Sequence, residues 1–438
     1  MIPNEYSVTD ALKLRVCPTD KFKAGMLSVS AVLPIQRENV WLTSLLLSVL
    51  RRGTVKYPTL EALNRRLDFL YGTELSIRNF YRGDNQIIGF SAELLDRSYL
   101  PRGEDLLPAV AQIMDEILFH PLLDENGLLL SRYVESEKQM QCDAIRAMKN
   151  HPRGYAADRC RELLYADTPC GALIYGTEEQ VMSVTPEQLS AHWRSLVDSL
   201  TLDCFYVGTA DADSISDALR QTLGVSLSSH GVPTAPIRPC PLTGERRVRR
   251  VEESLEVGQG QLILGLRTDS VIGDADHFAC VIFNEILGVS PISKLFVNVR
   301  ERLSLCYHCS SSYNAYKGTL LITCGLSRAN RKRAEKEILK QIRDLAAGRF
   351  EQSELDAARS ALINAYRQIG DSPAAMESFY FGRAIAGLTQ SVRDCREALS
   401  SVTREDVIRV AKKVKLDTVY YLDGTLDGEE GRGFDEED

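Results

Sequence analysis

Histidine is scarce in this chain, and what little there is never clusters. The six histidines, at positions 120, 151, 192, 230, 277 and 308, do not come within one helical turn of each other. That excludes the helix-borne His pair with which many hydrolases hold zinc. No G-x-S-x-G and no G-x-x-x-x-G-K-[ST] occurs, and "GQGQLI" at Gly258 has only two of the three glycines of a dinucleotide turn. Serine-hydrolase and nucleotide chemistry therefore lack their usual scaffolds. No run of about 18 apolar residues is present, and the N-terminus lacks the apolar core of a signal peptide, so a cytoplasmic chain without membrane insertion is expected. Positive charge is not in excess: 52 basic residues face 60 acidic ones, and the tail Asp427–Asp438, "DGEEGRGFDEED", holds seven acids against one Arg. The body is near neutral, without the basic footprint a nucleic-acid partner needs; the tail reads as solvated and disordered.

The eleven cysteines lack the even spacing of a secreted disulfide framework, which suits a reducing compartment. "CYHC", Cys306 to Cys309 with His308, is the nearest thing to a metal half-site. In an extended segment Cys306 and His308 share a face while Cys309 points away. With no second Cys or His pair nearby, no metal is expected in this chain.

What the chain does contain is a repeat. "FLYGTELSIRNF" matches "RLSLCYHCSSSY" with Gly72 opposite Ser304, an offset of 232, and the strands "IIGFSAEL" and "LLITCGLS" follow at 233. Long helices align at Gln112 and Gln341, an offset of 229, and "VTPEQL" and "VTREDV" place the helix N-caps Thr185 and Thr403 at 218. Four matches in one order argue for two homologous α+β halves, each a mostly antiparallel or mixed sheet covered by helices on one face. The Pro-, Gly- and Ser-rich stretch around 229–248 reads as the linker. It divides an N-terminal domain, 1–228, from a C-terminal domain, 249–426, with the acidic tail 427–438 beyond.

Several local stretches resemble the pitrilysin-like, or inverzincin, metallopeptidases, the family of mitochondrial processing peptidase and insulysin. Active members carry H-x-x-E-H on a helix that ends some five residues before a Gly-Thr pair. Here "TSLLLSVLRRGT" ends in Gly53 and Thr54, which sets Ser44, Leu47 and Ser48 at the positions of His, Glu and His. Two hydroxyls and a leucine can neither hold zinc nor deprotonate water. The family's third ligand is a later Glu, in a stretch similar to "EKQMQCDAI", which leaves Asp143 or Ala144 at that place.

The second half departs less. "NEILGVSPISKLFVNVRERLSLCYHCSSSY" resembles the family's C-terminal pattern, with Arg300 and Tyr307 at its Arg and Tyr and Val289 and Pro291 altering its Gly-rich turn. In the family those two side chains reach substrate carbonyls and the tetrahedral oxyanion, a task suited to a guanidinium and a phenol. Bacterial YfmF-like paired subunits look closest, through "DFLYGTELS" and chain length. The resemblance implies a non-catalytic, substrate-binding subunit of a heterodimeric zinc metallopeptidase. A paralogous H-x-x-E-H-bearing partner would supply the zinc, and peptides would be the substrate. The alternative of another class is an inert structural or peptide-binding scaffold of the same fold.

Overall fold

The computed structural model describes residues 2–227, 237–244 and 247–424. Half of the expected linker, 229–248, and the whole tail, 427–438, lie outside them. The chain forms two compact units, each assembled from three separate stretches.

The first unit holds β1 (Asn4–Thr9), β2 (Leu12–Pro18), β3 (Ala24–Pro34), β4 (Glu74–Arg82), β5 (Asn85–Leu95) and β6 (Leu202–Gly208). They form one sheet in the order β1-β2-β6-β3-β5-β4. The second unit holds β7 (Arg249–Leu255), β8 (Gly260–Arg267), β9 (His308–Asn314), β10 (Thr319–Leu326) and β11 (Lys415–Gly424), in the order β7-β11-β8-β10-β9. Without β1 the two orders coincide. Each sheet has one parallel pair at the same place, β2 with β6 and β7 with β11, and is otherwise antiparallel. Duplication is thus a property of the topology, and the fold is the α+β arrangement of two mixed sheets read from the sequence. The paired N-caps exist as well: Thr185 with Gln188 and Thr403 with Asp406 each close a capping box.

The expectation of helices on one face only is corrected. Leu27, Val29 and Ala31 of β3 enter the main core of the first unit, while Ser28, between them, bonds Glu377 on the helix Pro373–Ile385. Because side chains alternate along a strand, that helix covers the opposite face. In the second unit the helix Pro152–Leu164 does the same, packing Ala156, Ala157 and Cys160 on Ile263, Leu321 and Tyr420. These two helices are equivalents in the repeat. Each starts with a proline in its first turn and follows a 17-residue helix, Ser131–Ala147 or Gln352–Gln368, and a short 3₁₀ turn. Each nevertheless belongs to the unit built on the other half's strands.

Candidate functional site

The helix Val40–Leu50, "VWLTSLLLSVL", is almost entirely buried. Leu47 is a core side chain. Ser44 donates to the Ile174 carbonyl at 2.5 Å and accepts from the Asn79 amide at 2.8 Å, and Asn79 in turn accepts from Gln86. One residue earlier, Thr43 meets His192 Nε2 at 2.9 Å, where burial pushes the imidazole pKa down and keeps the ring neutral near pH 7. Ser48 lies half-buried. Apolar packing and neutral hydrogen bonds therefore occupy the stretch set against H-x-x-E-H. Asp143 and Ala144 both face solvent on Ser131–Ala147, with Asp143 paired to Arg146 at 3.0 Å. Gly53 is required by close approach, since a Cβ there would stand 2.5 Å from the Pro58 carbonyl oxygen.

Arg300 and Tyr307 meet in the second unit. Arg300 lies near the end of Leu295–Arg302, a stretch wound as a π-helix, as is Glu285–Val289 before it. Such widened turns recur at functional sites because they re-aim side chains out of the α-helical register. Inside the first of them the chain is tight at Gly288, where a Cβ would lie 2.7 Å from both Leu295 Cδ1 and Ser311 Oγ. The guanidinium stacks over Phe296, 4.7 Å from the ring centroid, and its Nε lies 3.5 Å from Glu301. Ser304 takes a positive φ of 46°, turning the chain so that Leu305 N–H donates to Val299 O at 3.0 Å. Tyr307 N–H then donates to Gly325 O at 2.8 Å, holding the residue against β10 with its ring 68% exposed. Arg300 and Tyr307 line one cleft of about 410 Å³ together with Glu301, Cys306, Ser327 and Asn330. Two hydrogen-bond donors open to solvent in one cleft can bind carbonyl or carboxylate oxygens of an extended peptide.

The same cleft corrects the reading of "CYHC". Regular strand geometry begins only at His308, so the alternation assumed across Cys306 does not apply. Cys309 stands opposite Cys324 in the β9·β10 register, and the turn at Ser304 brings Cys306 to both, with the three sulfurs within 4.8 Å of one another. His308 lies on the other face, against Gly325. Cys324 was invisible to sequence spacing because its neighbour in space is set by hairpin register; the offset across the "NAYKG" turn between two alternating strands was the signal available. Hydrogen bonding from Cys309 and Cys324 holds the Cys306 thiol well below its ordinary pKa. Since the thiolate persists as pH falls, the Cys306 alkylation rate should drop less than about threefold between pH 8 and pH 6, where an ordinary thiol loses about a hundredfold. Peptide-resolved mass spectrometry checks this, and an ordinary slope would refute the assignment.

Comparison with known proteins follows the same lines. The family model described as "Peptidase M16 inactive domain" matches residues 183–362. "Probable inactive metalloprotease YmfF" of Bacillus subtilis is 29% identical over 94% of this chain and 96% of its own. That is the bacterial branch expected from "DFLYGTELS", its letters being YmfF rather than YfmF. "Uncharacterized zinc protease YmxG" of the same organism is 24% identical over 56% of each chain. A conserved protein from Enterococcus faecalis superposes with a TM-score of 0.88 at 22% identity, covering 97% of this chain and 99% of its own. The chain is similar to the M16, pitrilysin-like peptidases over nearly its whole length, and its sequence holds no H-x-x-E-H.

Proposed function

We propose that this chain is the non-catalytic, substrate-binding subunit of a heterodimeric zinc metallopeptidase acting on peptides or small unfolded substrates. Zinc and the H-x-x-E-H helix come from a paralogous partner chain, and Ser44, Leu47 and Ser48 are the vestige of the lost site. The observation that carries the reading is the convergence of Arg300 and Tyr307 on one open cleft. An inert wall needs neither an exposed guanidinium nor an exposed phenol there. The coexistence in Bacillus subtilis of an inactive relative and a zinc-protease relative is what such a division of labour requires. Eleven free cysteines support a reducing, cytoplasmic setting. Among the described residues no helix is long and apolar enough to cross a membrane.

The scaffold reading draws its support from Glu301, which lies 3.5 Å from the Arg300 Nε. Both partners are substantially exposed, so the pair is weak and a peptide carboxylate or carbonyl competes with it. Mixing experiments separate the two readings. The purified chain alone should hydrolyse no peptide with zinc supplied, and its addition to the zinc-bearing partner should raise peptide turnover at least about tenfold, at a 1:1 endpoint. Turnover by the partner that is indifferent to this chain would favour the scaffold.

A further inference from the structure

We propose that Cys306, Cys309 and Cys324 form a three-coordinate thiolate site for a soft monovalent cation, copper(I) by its chemistry, opening on the Arg300/Tyr307 cleft. The inference stands apart from the two-chain reading and survives or fails independently of it.

The geometry is a triangle of sulfurs, each within 4.8 Å of the other two. Metal–sulfur bonds of about 2.3 Å in a plane put ligand sulfurs about 4.0 Å apart, inside that limit. Two of the three are fixed by strands: Cys309 and Cys324 are directly opposed and buried. The third, Cys306, is half-buried and lines the cleft, giving an ion its way in.

The donor set selects the ion. Thiolates prefer soft cations, and zinc asks for four ligands in a tetrahedron. The imidazole that sequence offers as a fourth, His308, is turned to the opposite face of β9 and meets Gly325. Three sulfurs with no fourth side chain among the described donors match the low coordination numbers of copper(I). Binding converts thiols to thiolates and releases their protons to solvent. The site then keeps negative charge, and Arg300 lies near enough to Cys306 to offset part of it.

A disulfide is the competing use of the same atoms. It fits less well between the two strand cysteines, because directly opposed residues hold their Cβ atoms about 4.5–5.5 Å apart while a disulfide needs about 3.5–4.5 Å. It would also use two thiols and leave the third unexplained.

The test offers the full chain, without oxygen, copper(I) bound to a chromophoric chelator, and zinc(II) in a parallel arm. One copper per chain should leave the chelator, and C306S, C309S and C324S should each weaken retention at least about 100-fold, while C17S, altering a buried cysteine of the other unit, should not. Because serine at the buried positions threatens folding, a second readout uses the unmutated chain: copper(I) should shield Cys306 from alkylation while the exposed Cys240 continues to react. Full retention in C324S, tighter retention of zinc(II) than of copper(I), or unshielded Cys306 would overturn the proposal. A peroxide-formed disulfide within the trio, with copper left on the chelator, would overturn it in favour of redox chemistry.

Discussion

Arg300→Ala should lower kcat/KM of the reconstituted two-chain peptidase by about 10²- to 10³-fold while the complex stays assembled and zinc-loaded, the scale for removing one donor aimed at a developing oxyanion. The side chain is 42% exposed and its protein contacts are Phe296 and Glu301. Its removal therefore costs little folding energy, and a rate effect is separable from unfolding. Tyr307→Phe removes only the hydroxyl of an exposed ring and should act in the same direction without changing stability. Arg300→Lys is the control, because a compact ammonium cannot reproduce a planar fork of donors and should rescue only in part. A scaffold predicts wild-type turnover for all three variants once the heterodimer forms. Steady-state kinetics at matched zinc content decides, and an unchanged kcat/KM for Arg300→Ala removes the donor role.

Glu377→Ala should cost about 3–5 kcal/mol of stability, the range for leaving the partner of a buried ion pair uncompensated. Glu377 sits on the exchanged helix Pro373–Ile385 with its side chain 3% exposed. It accepts from Ser28 at 2.8 Å and faces Arg78 Nη1 at 3.0 Å. The Arg78 guanidinium also lies 5.5 Å from the Phe80 ring centre and 5.2 Å from that of Phe381, held between strand and helix. Truncating the carboxylate strands a buried cation that water cannot reach. Replacing both partners by methionine should recover most of the loss, because well-packed apolar side chains often match a buried ion pair. Urea unfolding measures it. A loss under about 1 kcal/mol for Glu377→Ala would show that the helix does not dock on β3 in this way.

The duplication was legible because its signals are local. Capping boxes at Thr185 and Thr403 and strands at Ile87 and Leu320 repeat wherever the halves align, and no tertiary knowledge is needed to see them. The helix exchange was not legible for the same reason. Pro152–Leu164 and Pro373–Ile385 carry equivalent patterns, and an apolar stripe says that a helix packs without saying on which of two similar sheets. Arg78 and Glu377, one on each side of that contact, are too far apart in sequence for any spacing rule. Arg300 and Tyr307 could be singled out from the pattern around them, but their sharing of one cleft depends on the π-helical winding before Arg300 and the positive φ at Ser304. The resemblance of "EKQMQCDAI" to the family's third-ligand stretch offered Asp143 or Ala144 as the remnant position, yet the exposed face on which both stand is set by packing of the whole helix.

The division of labour between two chains is tested most directly by isolating this chain from its own cell at native abundance and identifying what comes with it. The expected result is a second chain of similar length bearing H-x-x-E-H, present in 1:1 ratio and carrying the zinc, with peptide hydrolysis confined to the pair. Recovery of this chain alone or with copies of itself, or peptide hydrolysis by it without such a partner, would contradict that division.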